Sequence, residues 1–286
     1  MTETFVTAAS HWHPVERKPL YHYHPGMSVL TLAAPGCTFT CGYCQNWRVS
    51  QVGRVAGAGA AVSPVDPAAI VAEAAACGGG IALSYAEPAL AAELTLALAA
   101  HARPASVPMM WKTNGFLTDT ALDRLLPALD AVNVDLKAAD EPSHRALTGA
   151  PLAPVLTAMR RLVMGGLWVE VSTPLLPGFN DDERSVRTMA RVVAGLGPEV
   201  PWHLLRFQPE FRWKDRGPAG RRDRGAARGL RSRGHRADAL RLSLRGARRA
   251  APRRRCRSRG GAERTGERRG RPGPCRGSPA QPRSAR

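Results

Sequence analysis

The fold of this 286-residue chain is decided by one stretch, Ser28-Val29-Leu30-Thr31-Leu32-Ala33-Ala34-Pro35-Gly36-Cys37-Thr38-Phe39-Thr40-Cys41-Gly42-Tyr43-Cys44. An apolar run leads directly into a loop in which three cysteines follow a Cys-x3-Cys-x2-Cys spacing. Three thiolates without an obvious fourth ligand suit an iron-sulfur cluster that keeps one iron open for a small molecule. The stretch therefore predicts a strand that ends in a chemically active site.

Zinc is the alternative metal that these cysteines could bind. A closed structural zinc site takes four ligands, usually as two separated pairs of Cys or His, and no second pair with that spacing occurs in the first 213 residues. Zinc completed by a distant histidine, or three packed thiols, remains as the other interpretation of the motif.

Short apolar runs alternate with helical patterns from residue 27 to residue 210. Alternation of this kind predicts a parallel sheet with helices packed outside it, and six units fit an open (β/α)6 partial TIM barrel. The six strand candidates are Ser28 to Ala33, Gly80 to Tyr85, Val107 to Lys112, Ala131 to Leu136, Leu167 to Thr173 and Trp202 to Phe207. The helix signals are Asp66-Pro67 with Gly78, Thr118-Asp119, and Asn180-Asp181 with Gly197-Pro198, where Asn180 is the predicted cap.

Residues with useful chemistry follow the carboxyl ends of the predicted strands, where the connecting loops of such a sheet converge. Asp135 and Lys137 are two apart on a strand and so share one face. A buried Asp/Lys pair is costly to desolvate, which favours a polar ligand between the two side chains. The strand ends carry Cys37 to Cys44, Tyr85 to Pro88, Lys112 to Gly115, Asp135 to Lys137, Thr173-Pro174, and His203 with Arg206.

The cysteine motif and its flanks resemble the radical S-adenosylmethionine superfamily. The flanks are Pro19-Leu20-Tyr21-His22-Tyr23-His24-Pro25-Gly26 and Cys44-Gln45-Asn46-Trp47. Within the superfamily, the chain resembles the pyruvate formate-lyase activating enzyme-like group, and most closely the AmmeMemoRadiSam system radical enzymes. The resemblance covers residues 15 to 213.

The resemblance implies an oxidoreductase-type radical enzyme. Cys37, Cys41 and Cys44 would hold a 4Fe-4S cluster whose open iron is chelated by S-adenosylmethionine. Reductive cleavage of that cofactor would give a 5′-deoxyadenosyl radical that abstracts hydrogen from a substrate, with modification of a glycine on a partner protein as the activase-like case. An electron donor such as flavodoxin or ferredoxin is the implied redox partner, and no catalytic residue is assigned.

The resemblance also implies a set of cofactor-binding residues. Glu87, in Tyr-x-Glu-Pro rather than Gly-Gly-Glu, would accept the amino group, although it also suits a helix cap before Pro88. Asn114-Gly115 resembles the family's Asn-Gly turn, which is also an ordinary turn dipeptide. Asp135 would contact ribose and Lys137 the carboxylate of the cofactor; the alternative is a surface ion pair at the end of the strand. The full predicted set is Tyr43, Tyr85, Glu87, Asn114, Gly115, Asp135, Lys137 and His203.

Two members of that set have a second interpretation. Tyr43 would lie against the adenine, or else pack beneath the cysteine loop. His203 would contact cofactor or substrate, or else serve a structural role on its strand, as a lone histidine more often does.

The charge of the chain is divided sharply. The formal net charge is +18, yet residues 1–213 carry 16 Lys and Arg against 18 Asp and Glu, while residues 214–286 carry 25 against 5. We therefore expect a radical enzyme domain over 1–213 and a disordered Arg/Gly-rich tail over 214–286, consistent with out-of-frame translation. The tail has no aromatic residue to stack on a base, which argues against an RNA partner.

The amino-terminal residues carry neither a signal peptide pattern nor an apolar span, so we expect a cytoplasmic protein without a membrane partner. A reducing compartment also keeps the cysteine motif out of disulfides. Three other functions remain open: a non-catalytic metal or thiol protein, a truncated inactive copy of a radical enzyme, and an RNA-binding protein that acts through the tail.

Overall fold

The computed structural model describes residues 4–216 of the chain. The expectations for the basic tail concern residues 214–286, of which 217–286 lie outside the described residues. The boundary at residue 213 therefore stays a prediction.

Within residues 4–216, nine strands form two sheets. The small sheet pairs β1 with β4 antiparallel, and the main sheet has seven strands in the order β2-β3-β5-β6-β7-β8-β9. The pairs from β3 to β9 are all parallel, whereas β2 runs antiparallel to β3. The strands are β1 Phe5–Thr7, β2 Ser10–Pro14, β3 Ser28–Leu32, β4 Ser63–Val65, β5 Gly80–Leu83, β6 Met109–Thr113, β7 Ala131–Asp135, β8 Trp168–Leu175 and β9 Trp202–Arg206.

The six predicted strands correspond to β3, β5, β6, β7, β8 and β9, so the predicted partial-barrel fold is confirmed. The structure adds β2 at one edge of the sheet. Its sequence, Ser10-His11-Trp12-His13-Pro14, is polar because an edge strand has only one hydrogen-bonded neighbour and stays partly exposed. The short strands β1 and β4 were also not predicted.

In the described part of the chain, seven α-helices connect the strands. Asp66 begins α2 by accepting the Ala68 N–H at 2.9 Å, and Thr118 begins α4 by accepting the Ala121 N–H at 3.2 Å, as the sequence predicts. No helix within residues 4–216 is both long and apolar enough to cross a membrane. The helices are α1 Trp47–Ser50, α2 Pro67–Ala76, α3 Ala92–Ala102, α4 Asp119–Leu125, α5 Glu141–Thr148, α6 Ala153–Met164 and α7 Glu183–Ala194.

The predicted cap of the last helix is wrong. Asp182, not Asn180, accepts the Ser185 N–H at 3.0 Å and begins α7. Asn180 instead holds the β8–α7 connection, since its amide nitrogen donates to the Lys137 carbonyl at 2.7 Å. Its side-chain oxygen accepts the Leu176 N–H at 2.7 Å. The residue therefore links two strand ends at the mouth of the barrel.

The two faces of the main sheet have different surroundings. Leu83, Trp111 and Val132 belong to a large cluster that includes buried residues of the helices, which defines the outer face. On the inner face, Ala82, Met110 and Ala131 pack with Val15 and Leu20 from the segment after β2. Burial of each large side chain contributes roughly 1.5–3 kcal/mol to folding. The amino-terminal segment thus closes the lower part of the barrel interior and leaves polar residues above it.

Candidate active site

The cysteine loop is fixed at three backbone positions. The Thr40 N–H donates to the Thr148 carbonyl at 2.9 Å, which ties the loop to the end of α5. The Gln51 side-chain amide donates to the Phe39 carbonyl at 2.9 Å, and Arg54 donates to the Cys37 carbonyl at 2.8 Å. These contacts hold the loop at the carboxyl end of β3 without using any thiol.

The three thiols themselves are largely shielded from water. Cys41 is buried and Cys37 and Cys44 are half-buried. Burial, followed by the nearby charge of Glu87, raises the pKa of Cys37 to about 12, and burial also raises the pKa of Cys41. The unligated thiols of these two residues are therefore neutral, and a bound metal would be needed to convert them to thiolates.

Asn114 connects the cysteine loop to the end of β6. Its side-chain nitrogen lies 2.8 Å from Thr38 Oγ1 and 3.6 Å from Cys37 Sγ. Its backbone N–H donates to Glu87 Oε2 at 2.8 Å. The predicted residues Glu87 and Asn114 therefore lie together beside Cys37.

Glu87 is buried and also serves the capping role that its sequence position suggested. Its Oε1 accepts from Thr113 Oγ1 at 2.6 Å and from the Ala89 N–H at 3.1 Å, at the start of the short 3-10 helix Pro88–Ala91. Burial raises the pKa of Glu87 to about 6 despite these hydrogen bonds. The carboxyl group thus joins the β5 and β6 loops.

Gly115 has a backbone requirement of its own. Its φ is +74°, and a Cβ atom there would lie 2.9 Å from Val134 Cγ1. The turn at Asn114-Gly115 explains why position 115 is a glycine. The side chain of Asn114, in contrast, contacts the cysteine loop.

A mouth network of five polar residues lines the inner face next to the cysteine loop: Lys112, Asn133, Asp135, Lys137 and Ser172. Lys112 donates to Asp135, to Asn133 at 2.7 Å and to Ser172 at 2.7 Å. Lys137 donates to the other oxygen of Asp135 at 3.2 Å. Burial alone would raise the pKa of Asp135, but the ammonium groups of Lys112 and Lys137 hold this pKa well below its usual range.

This network differs from the predicted arrangement of a ligand between Asp135 and Lys137. The two side chains contact each other directly, and Lys112, which the predicted set omitted, joins them. Lys137 is 8% exposed, so the pair is not a surface ion pair either.

Tyr43 packs beneath the loop rather than facing open space. The Lys137 ammonium lies 5.7 Å from its ring centroid, and the Trp213 ring lies 5.3 Å away. Trp213 also covers Gly42, where a Cβ atom would meet the indole nitrogen at 2.7 Å. Tyr43 thus packs against Trp213, which lies directly over the cysteine loop, and its contact with the adenine stays a prediction.

Tyr85 faces a buried lysine. Its backbone has φ +70°, and the Lys18 Nζ lies 4.1 Å from its ring centroid. Lys18 is fully buried, and its ammonium nitrogen has no hydrogen-bond acceptor within residues 4–216. Burial, with a smaller effect of Arg17, lowers the pKa of Lys18 to about 7. The sequence did not indicate this contact between Tyr85 and Lys18. The role of Tyr85 at the cofactor stays a prediction.

His203 lies deeper than the other predicted residues, at the second position of β9. Its Nε2 is 2.6 Å from Glu170 Oε2, and its ring stacks on that of His22 with centroids 5.6 Å apart. Glu170 is fully buried on the inner face of β8. The structure thus places His203 in a group that does not include the cysteine loop.

Sequence reasoning placed Lys112 at a strand end without giving it a role, and it missed Glu170 and Ser172 as inner-face residues. The available signal was alternation within apolar strands, since Asn133 and Asp135 alternate with valines in β7, as Glu170 and Ser172 do in β8.

Comparison with known proteins identifies the family. Residues 32–189, more than half of the chain, match the Radical SAM superfamily. The chain is 32% identical to an uncharacterised protein of Methanocaldococcus jannaschii, over 71% of this chain and 60% of that protein. It is 35% identical to the isethionate sulfite-lyase activating enzyme of Oleidesulfovibrio alaskensis, over 46% and 44% of the two chains. The chain therefore spans about half the length of these two relatives.

Two further likenesses each extend over more than two thirds of the chain. The pyruvate formate-lyase-activating enzyme of Staphylococcus aureus is 26% identical, over 68% of this chain and 81% of that enzyme. A crystal structure of a radical SAM methyltransferase from Sphaerobacter thermophilus superimposes with a TM-score of 0.52 at 19% identity, over 74% and 65% of the two chains. At that identity the structural likeness supports the fold alone. Together with the family match, these findings confirm the resemblance that the cysteine motif indicated: the chain belongs to the Radical SAM superfamily.

Proposed function

We propose that the chain binds a 4Fe-4S cluster through Cys37, Cys41 and Cys44 and cleaves S-adenosylmethionine reductively to start a hydrogen abstraction. The observation that carries the proposal is the convergence of the cysteine loop, Asn114 and Glu87 at the carboxyl ends of adjacent parallel strands. Ligands bind at this end of open parallel sheets. The family match supports the same assignment.

The donor set fits a cluster better than a single ion. Within residues 4–216, a group of three candidate ligand atoms all within 4.8 Å of one another is formed by His22, Glu170 and His203, and not by the three cysteine sulfurs. Three thiols that are not drawn together at one point would suit the cysteine ligation of a cluster better than a single tetrahedral zinc ion. The Cys37 and Cys41 thiols are neutral without metal, so cluster binding would release protons.

The cofactor would be held by groups with spare bonding capacity. Glu87 accepts three hydrogen bonds, which leaves one position on Oε2 for the amino group of S-adenosylmethionine. Lys137 makes one ion pair and can donate to the cofactor carboxylate with its remaining N–H groups. Asp135 and Asn114 would contact the ribose and the cluster side of the cofactor.

When bound, the reduced cluster and S-adenosylmethionine supply cleavage of the sulfonium C–S bond to methionine and a 5′-deoxyadenosyl radical, which takes a hydrogen atom from substrate. The chain's own residues orient the cofactor and keep water away. Trp213 covers the loop from one side, and the apolar floor of Val15, Leu20 and Met110 closes the interior from below.

We further propose that the substrate is a glycine on a partner protein and that flavodoxin or ferredoxin supplies the electron. Two relatives named as activating enzymes, for isethionate sulfite-lyase and for pyruvate formate-lyase, support this extension. The substrate assignment is separable from cofactor cleavage, because the cleavage can be measured without any partner.

Anaerobic reconstitution tests the central proposal. The full chain is loaded with iron and sulfide, reduced with dithionite and incubated with S-adenosylmethionine. We expect about four irons per chain, an electron paramagnetic resonance signal that changes when the cofactor is added, and equal amounts of methionine and 5′-deoxyadenosine. Stoichiometric zinc after anaerobic preparation, without cofactor cleavage, would contradict the proposal and favour a non-catalytic metal protein.

A further inference from the structure

Two histidines and one glutamate converge inside the barrel, away from the cysteine loop. His22 Nδ1 lies 3.3 Å from Glu170 Oε2, and His203 Nε2 lies 2.6 Å from the same oxygen. All three ligand atoms lie within 4.8 Å of one another. The residues come from the segment after β2, from β8 and from β9, so the fold rather than one local motif brings them together.

The carboxylate of this group is fixed before any ligand arrives. Glu170 Oε1 accepts the N–H groups of His22 at 2.9 Å and Tyr23 at 3.1 Å, and the Trp168 indole N–H at 3.0 Å. The group therefore holds the carboxylate in one orientation.

Both oxygens of Glu170 have more neighbours than lone pairs, but the neighbours of Oε2 include two imidazole nitrogens, which can bind a cation instead. Glu170 Oε2 lies 3.0 Å from the Tyr21 N–H, in addition to the two imidazole nitrogens. A carboxylate oxygen has about two lone-pair positions, so three donors cannot all be satisfied well. A cation bound to both imidazole nitrogens and to this oxygen would satisfy all three groups at once.

We propose that His22, Glu170 and His203 bind one divalent transition-metal ion of the zinc, cobalt or iron(II) class. Two imidazoles and one carboxylate are the ligand set of several catalytic zinc sites and of nonhaem iron(II) sites, which keep further positions open. The net charge of the ligands, −1 with neutral imidazoles, suits a divalent ion.

The site is reachable from solvent and adjoins the barrel interior. The side chains of His22 and His203 are 22% and 13% exposed, whereas Glu170 is fully buried. Glu170 is in register with Asn133 of the mouth network, two residues before Asp135 on β7, so its backbone lies about 7 Å deeper along the strand than that of Asp135. A substrate in the barrel interior could therefore contact both regions. The proposal does not depend on radical chemistry.

Cobalt(II) titration tests the site. The titration uses the full chain with the substitutions Cys37→Ala, Cys41→Ala and Cys44→Ala, which lacks the thiols of the motif. Circular dichroism checks that this variant is folded. We expect one cobalt ion per chain, with ligand-field absorption bands but no thiolate charge-transfer band, and displacement by zinc. His22→Gln and His203→Gln, which keep a polar side chain, should each weaken cobalt binding by about tenfold or more. His101→Gln on the exposed face of α3 is the matched control and should bind as before.

Three results would overturn the proposal. They are the absence of cobalt binding by the folded protein, binding that shows a thiolate band, and equal affinity in the His203→Gln and His101→Gln proteins. Any of these results would limit the contacts of His22 and His203 with Glu170 to hydrogen bonding.

Discussion

The mouth network and the group around Glu170 occupy the same inner face of the barrel, yet their charges are satisfied differently. In the mouth network, Asp135 is bound by two lysine side chains that belong to neighbouring strand ends. Glu170, two residues deeper in strand register, is bound by the backbone N–H groups of residues 21–23 as well as by the side chains of His22, Trp168 and His203.

This difference predicts that the mouth network contributes mainly to ligand binding and that Glu170 contributes mainly to the stability of the fold. Lysine ammonium groups can exchange one anionic partner for another without moving the backbone, so the mouth network can accept a ligand. Backbone N–H groups cannot be redirected without displacing their segment, so Glu170 fixes the residues that close the barrel. Changes at the mouth should therefore alter ligand binding, and changes at Glu170 should alter stability.

The largest effect is expected at the cysteine loop. Cys41→Ala should abolish cluster absorbance and 5′-deoxyadenosine formation, because three thiolates are the minimum that the proposed cluster uses. Its free energy of unfolding in the cluster-free state should change by no more than about 1 kcal/mol. Cys256→Ala, the same substitution in the basic tail, is the control and should keep both signals. A Cys41→Ala protein with a full four-iron cluster and normal cleavage would sink the assignment.

The second effect concerns the deeper region. Glu170→Gln replaces a buried carboxylate by an amide whose NH₂ group faces N–H donors, so urea denaturation of the metal-free protein should show a loss of about 3 kcal/mol. Glu199→Gln, at an exposed position, should change the free energy of unfolding by less than about 0.5 kcal/mol. If the two variants were equally stable, Glu170 would not anchor the amino-terminal segment.

The third effect is a pH dependence at the mouth. Burial raises the pKa of Glu87 from 4.5 to about 6, so the folded cluster-free protein holds this proton more tightly than the unfolded chain does. The contribution of Glu87 to stability is complete below pH 4.5 and is lost as the pH rises to about 6. Glu87→Gln should remove that fall, which amounts to about 2 kcal/mol. Glu199→Gln should retain it, and an identical slope in wild type and Glu87→Gln would contradict the linkage.

The smallest effect is expected for one cofactor contact. Lys137→Met should keep the cluster but raise the dissociation constant for S-adenosylmethionine about tenfold, or about 1.4 kcal/mol, because one charge-assisted contact is lost. Calorimetry on reconstituted protein measures it, with the exposed Lys214→Met as control. Unchanged affinity would mean that Lys137 serves only as the partner of Asp135.

The parallel strands could be predicted because strands buried on both faces consist of nearly continuous apolar residues. Gly80–Leu83 is buried throughout, whereas the edge strand Ser10–Pro14 is not and gave no comparable signal. The helix start near Asn180 was ambiguous because three side-chain acceptors, Asn180, Asp181 and Asp182, are consecutive. Only the contacts of Asn180 with Lys137 and Leu176 identify it as a strand-end link.

The residues of the candidate site could be predicted where their spacing in the sequence identifies them. They could not be predicted where the role depends on which side chains they contact in the fold. Cys37, Cys41 and Cys44 are recognisable from their positions alone. Lys112 and Glu170 are single polar residues within apolar strands, and a sequence does not reveal how deep each lies or which side chain it meets. The direct contact of Lys112 with Asp135, and of His203 with Glu170, depends on register between strands far apart in the chain.

The contact between Trp213 and Gly42 should make the fluorescence of Trp213 sensitive to whether the cysteine loop is occupied. The indole lies against the residue that separates Cys41 from Tyr43 and Cys44, so its fluorescence should be quenched by energy transfer when an absorbing iron-sulfur cluster fills the loop. Cluster assembly, oxygen damage and repair could then be followed in real time without an external dye. A Trp213→Phe protein would supply the background from the other five tryptophans of the chain, since the sequence has Trp at 6 positions in all.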